Sequence, residues 1–245
     1  MALPKVATPT YELKIPSTGQ KVKYRPFLVK EEKALLIALE NGGEKEMSQA
    51  MQDIIVSCTE GEVNTKDLAP FDIEYFFLNL RGRSVGEELE INVPRPEGFE
   101  CCKDATPGDV VELKINIDDI KLDTSGMMSN EIEITDEIGL KLKFPNLETV
   151  QKYAADGENI KSENIFKLIG ECIDYIWDGD DIFKGKDSSK KELDDFIESL
   201  SSGQFQKIRE FFESMPKISH EVQWACPVCK KAKPLVLSGI DSFFG

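Results

Sequence analysis

After Gly86 the spacing of apolar residues changes from a helical period to a period of two, and no other feature constrains the fold as much. Leu89, Ile91 and Val93 alternate with Glu88, Glu90 and Asn92, and Val111, Leu113, Ile115 and Ile117 alternate with Glu112, Lys114 and Asn116. Alternation of this kind turns one face of a segment inward and leaves the other in water, as in half-buried antiparallel strands. Ile132, Ile134, Leu140 and Leu142 extend the pattern around an Asp136-Glu137-Ile138-Gly139 turn.

Helical spacing brackets this middle. The chain opens with a hairpin signal, residues 11–16 and 21–27 alternating around Ser17-Thr18-Gly19-Gln20. A helix follows from about Lys30 to Asn41, with Leu35, Leu36 and Leu39 on one face and Gly42-Gly43 as its stop. Ser48 is placed to cap a second helix carrying Met51, Ile54, Ile55 and Cys58, and Pro70 suits the first turn of a third, with Phe71, Phe76, Phe77 and Leu80. Helices return at Asn146. Ser162 is the expected cap of a long one whose stripe runs Ile165, Leu168, Ile169, Cys172, Ile173 and Ile176, stopped by Asp178-Gly179-Asp180-Asp181. Two more follow, on Leu193, Phe196, Ile197 and Leu200, then on Phe205, Ile208, Phe211 and Phe212. A last hairpin, residues 218–224 and 235–237, surrounds Cys226-Pro227-Val228-Cys229. No period of 20–50 residues repeats, which excludes a solenoid.

The expected fold is therefore α+β. Residues 1–86 form an N-terminal β-hairpin with helices, and residues 87–145 a β-rich segment bearing the first cysteine pair. Residues 146–216 form a second helical segment, and residues 217–245 a cysteine-bearing, zinc-ribbon-like hairpin that packs back on 87–128. A chain of 245 residues buries roughly 70% of its unfolded surface, enough for one large domain or two small ones.

With 45 acidic against 30 basic residues the net charge is −15, which repels phosphate backbones and argues against nucleic acid as a partner. One stretch runs against that balance, from Lys5 to Lys33, with seven bases and three acids. Lys14, Lys21, Lys23, Arg25, Lys30 and Lys33 cluster there and form a candidate docking face for an acidic protein. The start lacks the 7–15-residue apolar core of a signal peptide, and no stretch approaches the ~20 apolar residues of a membrane span. The expected compartment is the cytoplasm in which the chain is made, where cysteines are thiols or metal ligands rather than disulfides.

Catalytic patterns are missing. The single histidine, His220, lies in Ile218-Ser219-His220-Glu221-Val222, where alternation packs it on a strand face with Trp224. No glycine-rich phosphate loop occurs, and Asp178-Gly179-Asp180-Asp181 lacks the alternate carboxylates and distal Glu of a calcium loop. Cys226-Pro227-Val228-Cys229 is the sharp motif: two thiolates at this spacing bind one Zn²⁺ from a tight turn. Thiol exchange uses the same spacing, but only 16 residues follow Cys229, too few for a thioredoxin-type fold. Cys101 and Cys102 are the available partners for a four-sulfur structural zinc site with Cys226 and Cys229. They are adjacent, so both reach one metal only if their loop turns sharply. Such a site ties together residues 124 apart.

As a set, these strings resemble a known family. They are Thr8-Pro9-Thr10-Tyr11-Glu12, Pro16-Ser17-Thr18-Gly19, residues 24–33 (YRPFLVKEEK), residues 71–81 (FDIEYFFLNLR), residues 211–217 (FFESMPK), and the closing CPVC followed by GIDSFF. The chain resembles the baseplate hub assembly proteins and hub subunits of T-even-type contractile-tailed bacteriophages. The resemblance implies a non-enzymatic role in building the baseplate hub, with other phage hub proteins as partners. It also implies a location in the host cytoplasm during assembly, or in the virion tail baseplate. Two departures from the family pattern fall at the knuckles, where Cys101-Cys102 are unspaced and Lys230 follows Cys229 in place of glycine. Two readings from other classes stand beside it, a zinc-ribbon nucleic-acid-binding protein and a cysteine-based thiol oxidoreductase.

Overall fold

A computed structural model describes residues 6–41, 44–96, 110–153, 162–239 and 242. In chain order the elements are β1 (Tyr11–Lys14), β2 (Lys21–Tyr24), α1 (Val29–Asn41), α2 (Glu44–Cys58), α3 (Pro70–Ser84), β3 (Glu88–Pro94), β4 (Val110–Asn116), β5 (Lys121–Asp123), β6 (Glu131–Glu133) and β7 (Ile138–Leu142). They continue with α4 (Leu147–Tyr153), α5 (Ser162–Cys172), β8 (Ile173–Asp178), β9 (Asp181–Lys184), α6 (Lys190–Glu198), α7 (Ser202–Glu213), β10 (Lys217–Ala225) and β11 (Ala232–Ser238). Mixed α and β elements in small antiparallel sheets agree with the α+β expectation. The four sequence segments gather into two compact units, one of residues 1–65, 71–123 and 217–245, the other of 66–70 and 124–216.

In the first unit the period-two segments fold as read. β3 pairs β4 from Glu88↔Asn116 to Pro94↔Val110, and β10 pairs both β11 and β5 in the order β11-β10-β5. Leu89, Ile91 and Val93 of β3, Ile115 of β4, and Ile218, Val222 and Trp224 of β10 share one core with Leu78 of α3 and with Cys226 just after β10. Trp224 is wholly buried and its Nε1–H donates to the Val93 carbonyl at 3.2 Å, so the indole is buried without an unsatisfied donor. An aromatic of this size buries ~150–250 Å², at most about 4–6 kcal/mol of hydrophobic stabilisation.

The second unit is built on the sheet β6-β7-β8-β9, with Leu140 and Leu142 packed against Leu168, Ile169 and Cys172 of α5, Ile197 of α6, and Ile208 and Phe211 of α7. Helices α6 and α7 both begin in capping boxes, Ser189 with Glu192 and Ser201 with Gln204.

Three sequence readings are corrected. The helix expected to run through Ile176 stops at Cys172, and Ile173, Tyr175, Ile176 and Trp177 form a strand instead. Asp178-Gly179-Asp180-Asp181 is not a helix stop but the turn of the β8–β9 hairpin, with Gly179 at φ 57 in the first turn position. Helix α2 starts at Glu44, so Ser48 lies inside it and caps nothing.

Trp177 explains Gly139. The two residues face each other across β8 and β7, and a Cβ on Gly139 would lie 2.0 Å from the indole. Replacing Gly139 with Ala is expected to lower stability by about 1–3 kcal/mol through overpacking. Thermal unfolding followed by tryptophan fluorescence checks this; an unchanged melting temperature contradicts the close approach.

Candidate functional site

The basic N-terminal stretch divides in the structure into one inward-facing node and a set of outward lysines. Arg25 leaves β2 beside the start of α1 and the end of α2. Its Nη2 donates to Glu31 Oε1 at 2.8 Å and to Ser57 Oγ at 3.2 Å, and its Nη1 donates to the Pro26 carbonyl. Glu31 is 5% exposed and accepts further hydrogen bonds from Ser57 Oγ and from the Leu28 N–H. Burial pushes the Glu31 carboxyl up, but the hydrogen bonds from Arg25, Ser57 and Leu28 outweigh it and hold the group at about 2. Arg25 is thus committed to the interior of its own unit.

Lys21 pairs with Glu12 at 2.8 Å across the hairpin, and Lys30 lies 3.2 Å from Glu31 while remaining exposed. Lys14, Lys23 and Lys33 are exposed and enter no ion pair among the described residues. Beside them α1 presents apolar side chains to solvent. Leu36, Ile37 and Leu39 are 55%, 47% and 47% exposed, and Leu28 and Val29 continue the patch at the start of the helix. Val29, Lys33, Leu36 and Glu40 follow helical spacing along one side. The sequence had assigned Leu36 and Leu39 to a buried face. Helix α1 instead turns Glu31 and Ala38 inward, with Leu35 half-buried on the same side. The cue available in the sequence was that apolar residues fill the helix on several sides, more than one buried face can use.

At the C-terminal motif, Cys226 lies just after β10 and is fully buried, whereas Cys229 is exposed. Two backbone hydrogen bonds close the turn between them: Lys230 N–H donates to the Cys226 carbonyl at 2.9 Å, and Cys226 N–H to the Lys231 carbonyl at 3.0 Å. Lys230 has φ 61, the left-handed conformation that glycine adopts without strain. Cys101 and Cys102 lie outside the described residues, as do Phe243 and Phe244. Among the described residues no three His, Cys, Asp or Glu side chains come together as a metal site. The two cysteines flank one tight turn, with the Cys226 thiol buried and the Cys229 thiol exposed. His220 takes the strand position expected of it, opposite Leu237.

The other thiols are interior. Burial pushes Cys58 up to about 11 and Cys172 up to about 12, so neither supplies a thiolate near neutral pH. A cleft of about 290 Å³ opens between α4, α5 and α6, lined by Tyr153, Lys167, Glu171, Lys190 and Asp194. Glu171 is the hub of its polar contacts: Tyr153 Oη donates to Glu171 Oε1 at 2.7 Å, and Lys152 and Lys190 pair with the same carboxylate. No helix among the described residues is long and apolar enough to cross a membrane.

Compared with known proteins, the chain matches the family model described as T4 bacteriophage base plate protein over residues 8–245. No curated protein and no solved structure matches it.

The Glu31 node carries a pH signature. Its folded-state value of about 2 lies below the ordinary 4.5, so its contribution is complete above about pH 4.5 and is lost as pH falls toward 2. Glu31→Gln is expected to cost about 2–4 kcal/mol at neutral pH, since it leaves Arg25 without its charged partner. Urea unfolding between about pH 6 and pH 2.5 checks this: the variant should lose less stability over that range than the wild type. Parallel curves would contradict the linkage.

Proposed function

The chain belongs to the T4 bacteriophage base plate protein family, and from that we propose that it builds the central hub of the tail baseplate through protein–protein contacts and performs no chemistry of its own. It acts in the host cytoplasm during assembly, either as an assembly factor or as a hub subunit retained in the virion. The observation that carries this reading is α1, whose exposed Leu36, Ile37 and Leu39 share the helix with exposed Lys30 and Lys33 on a chain of charge −15. An apolar patch rimmed by cations suits an acidic protein partner with apolar residues at its centre. Nucleic acid binding is disfavoured by the same net charge, and thiol exchange at Cys58 and Cys172 by the burial that raises both thiols.

Reversing Lys23 and Lys33 to Glu is expected to slow association with co-expressed hub proteins and to weaken the salt dependence of binding, while Leu36→Asp speeds dissociation. Binding unchanged by all three substitutions across a range of salt would remove α1 from the interface. Mass spectrometry of purified virions separates the two roles: presence at a stoichiometry matching hub symmetry marks a subunit, and absence marks an assembly factor.

We also propose that Cys226 and Cys229 form half of a structural zinc site completed by Cys101 and Cys102. Two sulfurs at one backbone-closed turn support it. Elemental analysis should then find about one equivalent of zinc, lost together with several degrees of melting temperature in Cys226→Ser/Cys229→Ser. Less than a tenth of an equivalent in the wild type would exclude the metal.

A further inference from the structure

We propose that β9 is a self-association edge through which two copies of this chain pair about a two-fold axis, joining their β6-β7-β8-β9 sheets. The inference lies in the second unit and does not rest on the α1 docking reading. Among the described residues β9 ends the sheet, with β8 on one side only, and all four of its residues are exposed. Ile182 is 62% and Phe183 53% exposed, so the edge carries apolar side chains on both faces. Natural sheet edges are usually protected by charge, proline or covering segments, and an apolar uncovered edge is a template for strand pairing. The corresponding edge strand in the first unit, β11, carries Pro234 and is protected in that way.

The hairpin fixes which backbone groups face outward. Asp178 and Asp181 flank a two-residue turn, so they form a hydrogen-bonded pair, as do Ile176 and Phe183 two residues on. The N–H and C=O of Ile182 therefore point away from β8. The neighbouring outward carbonyl, on Lys184, accepts a hydrogen bond from Ser188 Oγ at 3.1 Å. Ile182 is thus the residue with both groups available to a new strand.

Symmetry then selects the occupant and the register. In a two-fold antiparallel pair, facing residues lie on the same side of both sheets, so a residue must face its own counterpart or one an even number of positions away. Ile182 facing Ile182 of the second copy meets this rule and exchanges two backbone hydrogen bonds. In that register Lys184 of each copy reaches the Gly179-Asp180 turn of the other, bringing opposite charges together at both ends of an apolar centre flanked by Trp177, which pairs with Ile182 from β8. An edge this short gives a weak, concentration-dependent dimer.

The test uses the full-length protein. Sedimentation velocity from about 5 to 500 μM should show a reversible dimer, as expected for a small interface. Ile182→Lys, at an exposed position, should leave the melting temperature unchanged and abolish the dimer. Ile182→Pro removes the outward N–H and should do the same. Lys184→Asp should weaken the dimer by about tenfold, and Asp180→Lys/Lys184→Asp should restore it. In a Cys229→Ser background, Ile182→Cys should oxidise to a disulfide-linked dimer, because facing residues at about 5.5 Å between Cα atoms suit that bond. A wild-type protein that stays monomeric throughout, or an Ile182→Lys variant that dimerises as well as wild type, overturns the proposal. So does a charge-swapped pair that fails to regain what Lys184→Asp loses.

Discussion

The position of α1 depends on the ion pair between Arg25 and Glu31. A helix of thirteen residues would ordinarily be held by an apolar stripe, yet among its described side chains α1 fully buries only Glu31 and Ala38. The anchor is therefore polar. Glu31 gathers Arg25, Ser57 and the Leu28 N–H at the point where β2, α1 and the end of α2 meet, and the Arg25 N–H donates to the Cys58 carbonyl at 3.0 Å. A buried ion pair adds little net stability compared with an apolar replacement of the same shape, but it tolerates few alternative geometries. What it contributes here is orientation: with Glu31 inward, Leu36 and Ile37 are turned to solvent. The exposed apolar surface is a consequence of the node, not an accident of a loosely packed helix.

The first unit depends equally on residues far apart in sequence. Trp224 donates to Val93 across 131 positions, and β10 pairs β5 with Lys217 facing Asp123. Between those two facing residues the chain leaves to make most of the second unit and then returns. Departure and return at neighbouring positions is the geometry by which one compact unit is inserted into another without opening its sheet. The β5–β10 pair therefore both completes a sheet and closes the base of the insertion. Contacts this distant in sequence carry a loop-closure cost that a well-filled core offsets, and the wholly buried Trp224 is part of that core.

Much of this was legible. The period-two segments became β3, β4, β6, β7 and β10, because strict alternation leaves one arrangement that buries the apolar face. The end of α5 was not. Ile169, Cys172, Ile173 and Ile176 satisfy helical spacing, and the same run, Ile173 to Trp177, is also β-branched and aromatic. Tertiary pairing with β7, through Trp177 lying over Gly139, decided between them. Charge counting located the basic arm but not its division, since sequence does not say which of six bases meets Glu31. The edge character of β9 was hidden for the same reason: with β8 read as helix, Ile182 and Phe183 had no sheet to end.

The C-terminal knuckle shows how backbone and side-chain chemistry separate within one motif. In the turn after Cys226, Lys230 adopts the left-handed conformation at φ 61, which costs a side-chain-bearing residue roughly 1 kcal/mol or more relative to glycine. That cost is offset locally by the two backbone hydrogen bonds closing the turn, between Lys230 and Cys226 and between Cys226 and Lys231. The registered pairing of β10 and β11, out to Ala225↔Ala232, holds the turn in place from the other side. The departure from glycine at this position thus leaves the knuckle shape intact, and the strain it introduces sits next to the exposed Cys229 rather than at the buried Cys226. Any ligand gathered by the two sulfurs acts on a turn already formed by its backbone, so its effect is to fix Cys229 and not to create the hairpin.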